Sequence, residues 1–268
     1  MKKMFKKKVS LLYILMAILV SGCLNDGNEN LLGNDFRLFK NTELEELAKH
    51  VADQNAPEIR RILSSGSVDV NFQEKKYGNT LLMLAVTNNL NVSVLELLKG
   101  GGDPNLRDFE SKENALDDAC SKNNYICNIE NVRCLIKFGA NVNAFRRTKS
   151  DNSVIISSPL IIASSAGCYE TVKLLVSSGA KIDTFTYYDG YGAITEAIIQ
   201  DEIRIAKYLI VDCKAPIPKT CYIRNQGEAD EIKLTVTDLL NENEYPAGDK
   251  NNDYKKEILR YLENKGIK

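Results

Sequence analysis

The sequence predicts an all-α solenoid of about five to six helix-turn-helix repeats, with finger loops or short β-hairpins between them. Two spacings carry this prediction. Alanines within apolar stretches recur 34, 44 and 34 residues apart, and glycines that close apolar stretches recur 35, 38 and 40 residues apart. These residues are Ala85, Ala119, Ala163 and Ala197, and Gly66, Gly101, Gly139 and Gly179. Small residues at such intervals allow paired helices of neighbouring units to approach closely, and the excess residues are expected in loops.

The clearest unit runs from Gly78 to Asn105. A Gly-x-Thr turn opens the short apolar helix Leu81–Ala85, Val94–Leu98 forms a second helix with a Leu-Leu pair, and Gly101–Asn105 closes the unit as Gly-x-Asp-x-Asn. This order of turn, helix, helix and turn resembles an ankyrin repeat. The resemblance implies a fold made of stacked helix pairs whose role is to bind another protein.

Further copies of this unit are less regular. They are expected at 42–71, 114–143, 158–183 and 190–210, with a degenerate cap from Val236 to Gly266. We therefore predict an ankyrin-repeat domain over 42–268; an unrelated helical bundle is the alternative. The Thr-Pro-Leu-His box of the family lacks its histidine in every copy. This departure implies that the usual hydrogen bonds between repeats are missing, and predicts modest stability and irregular stacking.

The N-terminus has the pattern of an export signal. Residues 1–22 combine a Lys-rich start with the short apolar stretch Val9–Val20, which is too short for a comfortable transmembrane helix. Val20-Ser21-Gly22-Cys23 resembles the lipobox of bacterial lipoproteins, which implies lipidation of Cys23 and a lipid-anchored tether over 23–41. Leu24 after the cysteine, in place of the Asp of inner-membrane lipoproteins, favours the outer membrane, and we expect the protein on its periplasmic face. The alternative is an uncleaved signal anchor.

Composition limits the chemistry that the chain can perform. Without the five lysines of the signal, 30 basic residues face 36 acidic ones, a balance that argues against nucleic acid as a partner. His50 is the single histidine, with no cysteine or second histidine near it in sequence, and no phosphate-binding glycine loop is present. We expect no enzymatic activity, no cofactor and no metal site. Asp117 and Asp118 are expected on a solvated helix face.

Six cysteines follow Cys23, and an exported protein meets oxidising conditions. Sequence alone leaves 15 pairings open. We expect a bridge between Cys213 and Cys221 across a Pro-containing loop, with Cys120–Cys127 as second choice. Cys134 matches Leu174 of the next repeat, and is expected to be a buried free thiol.

Partner contacts in ankyrin proteins usually lie on the concave side and on the fingers, which here are 72–77, 106–113, 144–157 and 184–191. Tyrosine and arginine are frequent at interface hot spots because they bury a large area and keep a polar end. The candidate partner-binding residues are Tyr77, Phe109, Arg146, Arg147, Lys149, Tyr187, Tyr188 and Tyr191. Phe72 and Phe145 are expected to pack against their own fingers.

These features together resemble the ankyrin-type immunity lipoproteins of type VI secretion phospholipase effectors. The resemblance implies that the concave face and fingers occlude the active site of a lipase, while the anchor holds the protein on the membrane. A general periplasmic scaffold that binds a resident envelope protein is the alternative, and a surface-displayed effector that binds a host protein is a third possibility.

Overall fold

A computed structural model describes residues 31–123, 125–150, 153–183, 191–225 and 230–267, with the side chains of 147–150 and 153–156 excepted. The predicted signal and Cys23 lie outside these residues. One compact unit begins at Gly33. Within the predicted tether, which stays a prediction, Phe36–Phe39 forms a 3₁₀ turn whose Phe39 is fully buried against the first helix.

Helices dominate the described residues. The first six are α1 (Glu45–Ala52), α2 (Ala56–Ser64), α3 (Leu81–Thr87), α4 (Asn91–Lys99), α5 (Ala115–Cys120) and α6 (Ile129–Lys137). The next six are α7 (Pro159–Ser165), α8 (Tyr169–Ser177), α9 (Ala193–Ile199), α10 (Ile203–Lys207), α11 (Val236–Glu242) and α12 (Lys250–Asn264). A π turn, Tyr208–Asp212, continues α10. Within these described residues no helix is both long and apolar enough to cross a membrane.

The described residues include two antiparallel strand pairs, which lie between helix pairs. Strand β1 (Arg146–Ser150) pairs with β2 (Ser153–Ser157), and β3 (Tyr222–Arg224) pairs with β4 (Ile232–Leu234). The first hairpin occupies the longest interval between the repeated alanines, where an insertion is predicted.

The helices form two stacked layers. The first helices of successive pairs pack side by side in the order α3, α5, α7 and α9, and the second helices in the order α2, α4, α6 and α8. The repeated alanines are buried between the first helices, and Leu97, Leu135 and Leu175 are fully buried at matching places in the second helices. This arrangement confirms the predicted repeat helical fold.

Helix caps form between the first and fourth positions of the box, and the fourth position is where the family has its histidine. The Thr80 hydroxyl accepts a hydrogen bond from the Met83 amide at 3.2 Å, and Asn114 Oδ1 accepts one from the Asp117 amide at 2.9 Å. Asp117 stands where the family has histidine, and its carboxylate accepts the Asn114 amide in return. Each such cap satisfies amides that a helix leaves unpaired at its start.

The repeats lack the histidine of the family box, but other hydrogen bonds join them. Asparagines at the end of three closing turns each bridge to the next turn with both amide atoms. Asn71 Nδ2 donates to the Gly101 carbonyl at 3.1 Å, and its Oδ1 accepts the Asp103 amide at 2.7 Å. Asn105 and Asn143 repeat the bridge to the following turns, with distances of 2.8–3.0 Å.

The disulfide predictions are also wrong. Cys127, in the turn between α5 and α6, is bonded to Cys168, the residue before α8. Cys120 is a buried free thiol. Cys213 and Cys221 are both free. Cys213 follows the end of the π turn, and the buried thiol of Cys221 donates a hydrogen bond to the Leu234 carbonyl at 3.4 Å. Cys134 is free as predicted, but only half-buried.

Removing one bridge should weaken the stack. We expect Asn143→Ala to lower the free energy of unfolding by about 1–2 kcal/mol, because two partly solvated hydrogen bonds are lost. Urea denaturation of the purified protein measures the change. Asn264→Ala, at the exposed end of α12, is the matched control and should change stability by less than about 0.5 kcal/mol. Equal effects of the two variants would contradict the role of the bridge.

The disulfide should add stability that depends on oxidation. It joins residues 41 apart in sequence, and the loop-closure model assigns such a link about 3–4 kcal/mol. We expect Cys127→Ser combined with Cys168→Ser to lower the unfolding midpoint in urea, and to abolish the effect of dithiothreitol on that midpoint. A wild-type midpoint that does not change under reduction would contradict this.

Candidate protein-binding surface

The first finger (residues 72–77) and the two residues that follow it are folded around a buried carboxylate. Glu74 accepts hydrogen bonds from the backbone amides of Lys76, Tyr77 and Asn79 at 2.6, 2.7 and 3.1 Å. The Glu74 amide in turn donates to the Asn79 carbonyl, which closes the loop. A buried carboxylate is stabilised by several such donors, and the shape of the finger therefore depends on this one side chain.

The second finger (residues 106–113) repeats the device 34 residues later. Asp108 is buried and accepts the amides of Glu110 and Ser111 at 2.7 and 2.6 Å through Oδ1, and the amide of Glu113 at 2.8 Å through Oδ2. The Asp108 amide donates to the Glu113 carbonyl, as Glu74 does to Asn79. Sequence analysis missed both carboxylates, although they precede the box by a constant six residues.

Side chains connect each finger to the next. Gln73 Nε2 donates to the Arg107 carbonyl at 2.8 Å, and Arg107 Nη2 donates to the Phe145 carbonyl at 3.2 Å. Between these links, the Phe109 amide donates to the Tyr77 carbonyl at 2.7 Å. The first two fingers and the start of the third (residues 144–157) thus form one hydrogen-bonded surface, which we call the finger layer.

Two candidate residues, Tyr77 and Phe109, meet on this layer. The Phe109 ring lies over Gly78, where an added Cβ atom would come within 2.4 Å of the ring. Gly78 also has φ of +77°, so a residue with a side chain would be strained as well as crowded there. Although it packs in this way, Phe109 remains 52% exposed, and Phe145 on the next finger is 45% exposed.

Phe145 was expected to pack against its own finger. Its side chain is instead exposed and belongs to the apolar part of the finger layer. Phe72 packs as an internal residue, with its ring centroid 6.3 Å from that of Phe39 rather than against its own finger. A contrast between these two phenylalanines was not visible in the sequence, since both follow a closing turn at similar positions.

Arg146 is used inside the chain. Its Nη1 lies 2.6 Å from Glu113 Oε1 and 3.2 Å from the Ser111 carbonyl, and its side chain is only 15% exposed. This ion pair ties the second finger to the third. Contact of Arg146 with a partner stays a prediction, but little of its side chain is accessible for one.

The other candidate partner-binding residues are half-buried or have side chains outside the described part of the structure. Arg147 and Lys149 lie in β1, but their side chains are not among the described residues, and Tyr187 and Tyr188 lie outside them altogether. Tyr191 is half-buried, and its hydroxyl donates to Glu196 Oε1 at 2.5 Å. Burial and the adjacent Glu196 carboxylate raise the Tyr191 pKa.

Asp117 and Asp118 were predicted to lie on a solvated helix face, and the structure contradicts this. Asp117 is buried beneath the finger layer, and desolvation raises its pKa to about 6 despite Arg107 Nη1 at 3.8 Å. Desolvation and the nearby Glu113 carboxylate also raise the pKa of Asp118, which the Thr87 hydroxyl approaches at 3.4 Å. Asp117 therefore supports the third unit from within as part of a helix cap, and Asp118 is half-buried beside it.

Comparison with known proteins agrees with this architecture. A family model for three copies of the ankyrin repeat matches residues 47–146, and a model for a single ankyrin repeat matches residues 157–186. The glycerophosphocholine phosphodiesterase gde1 of Schizosaccharomyces pombe is 31% identical over 129 residues, which are 48% of this chain and 10% of that protein. The chain thus matches about a tenth of the length of this relative. Residues 47–146 and 157–186 are therefore ankyrin repeats, which typically bind other proteins.

Proposed function

We propose that this protein is an exported immunity lipoprotein that neutralises a phospholipase or lipase effector of type VI secretion. Its solenoid, of about five to six repeats, grips the toxin with the concave face and the fingers and occludes the active site of the lipase. The chain itself performs no catalysis and needs no cofactor. Lipidated Cys23 holds it on the periplasmic face of the outer membrane, where the substrate of such a toxin lies.

The observation that carries the binding role is the order of the finger layer. Glu74 and Asp108 hold the loops internally, and Gln73 and Arg107 hold them to one another. A surface that is already ordered loses less conformational entropy when it binds. It also presents large exposed rings, which are the kind of side chain that fills pockets at hot spots.

The export part of the proposal is supported by the cysteines. A disulfide between Cys127 and Cys168 is typical of proteins in oxidising compartments and rare in the cytosol. This agrees with the signal pattern over residues 1–22. The choice of a lipase as partner rests on the resemblance to ankyrin-type immunity lipoproteins.

The binding surface can be tested with a phospholipase effector of type VI secretion, which the proposal expects to be encoded beside the gene for this protein. We expect the purified protein to bind that effector and inhibit its lipase activity, and Phe109→Ala to weaken binding at least tenfold, as loss of a hot spot does. Tyr125→Ala, which removes another exposed aromatic ring outside the finger layer, is the matched control and should bind normally.

A lack of inhibition, together with a deletion strain that is not sensitive to sister cells, would overturn the immunity role. If affinity capture then recovers a resident envelope protein, the scaffold alternative is favoured. If Phe109→Ala and Tyr125→Ala bind the effector equally well, the toxin is bound elsewhere than on the finger layer.

The anchor has its own test. We expect Cys23→Ala to move the protein from the membrane fraction to the soluble periplasmic fraction and to abolish labelling with palmitate, because the thiol that carries the lipid is lost. Cys213→Ala, at a half-buried free thiol, should leave both unchanged. A Cys23→Ala protein that stays on the membrane would contradict lipidation at this residue.

A further inference from the structure

Three side chains with metal-binding atoms converge on the first helix pair. Glu46 and His50 stand four residues apart on α1, so both lie on the same face of that helix. Glu58 reaches the same place from α2. One donor atom from each residue lies within 4.8 Å of the other two. No metal site was expected from the sequence, because no cysteine or second histidine lies near His50 and only the fold brings Glu58 to it.

A cation already lies between the two carboxylates. Arg61 Nε donates to Glu58 Oε2 at 2.6 Å, and Arg61 Nη2 donates to Glu46 Oε1 at 2.8 Å. The two glutamates are thus oriented towards one positively charged group. The Arg61 side chain is 58% exposed and can turn into solvent, and ion pairs of such exposure contribute only about 0–1 kcal/mol.

The nearby basic side chain of Lys49 does not join the cluster of Glu46, His50, Glu58 and Arg61. Lys49, the other basic side chain in this part of α1, is paired with Glu45 at 2.9 Å. Without Arg61, two carboxylates and one imidazole nitrogen form a donor set that balances the charge of a divalent ion. Mixed nitrogen and oxygen donors suit Zn²⁺ and its neighbours in the transition series, whereas Ca²⁺ and Mg²⁺ prefer oxygen alone.

We propose that Glu46, His50 and Glu58 form a binding site for a divalent transition-metal ion of the zinc class, with Arg61 as the internal competitor that the ion displaces. Water completes the coordination, since the cluster is partly exposed. The ion links α1 to α2 in the first repeat. End repeats of a solenoid have a neighbour on one side only, so a link inside this pair stabilises a part of the fold that stacking supports least.

The single histidine allows an unambiguous test with Zn²⁺ alone. In NMR spectra of the purified protein, we expect the imidazole resonances of His50 to shift or broaden as Zn²⁺ is added, and the unfolding temperature to rise with Zn²⁺ concentration as ligand linkage requires. His50→Ala should weaken Zn²⁺ binding, measured by calorimetry, at least tenfold. Glu45→Gln is the matched control on the same helix and should bind normally.

Arg61 distinguishes a metal site from an ordinary network of surface charges. Arg61→Met removes the competitor, so we expect it to tighten Zn²⁺ binding several-fold. Three results would each overturn the proposal: imidazole resonances that do not respond to millimolar Zn²⁺, an affinity of His50→Ala equal to that of the wild type, as binding by the free cysteines would give, or an Arg61→Met variant that binds no more tightly.

Discussion

The asparagine bridges between closing turns set the register of the central solenoid. Each bridge uses both the donor and the acceptor of one side-chain amide, so a neighbouring turn can satisfy it in a single relative position. Asn71, Asn105 and Asn143 repeat this geometry. Because the turns are aligned, the helices that follow them stack with their alanines buried, and the fingers that precede those helices come side by side.

The finger layer depends on that alignment. Gln73 and Arg107 reach the backbone of the next finger only because successive fingers are held at a constant offset. The buried carboxylates Glu74 and Asp108 then make each loop rigid on its own. Two kinds of interaction therefore order the fingers. Each loop turns around a buried carboxylate, and side chains link each finger to its neighbour.

The helices and their repeat could be predicted because they depend on local periodicity and on small residues at fixed intervals. The partners of individual side chains could not be predicted, since they depend on the offset between repeats. This is why Arg146 was expected to be available to a partner although it pairs with Glu113, and why Cys127 was not matched with Cys168. His50 is a similar case, because Glu58 reaches it from a different helix.

The bond between Cys127 and Cys168 also has a consequence for how the solenoid opens. In a linear array, each repeat is held mainly by its neighbours, so units can fray one at a time from either end. A covalent link between the turn before α6 and the start of α8 makes the two adjacent units separate together or not at all. Unfolding that reaches these units from either end therefore gains less conformational entropy than it would without the bond.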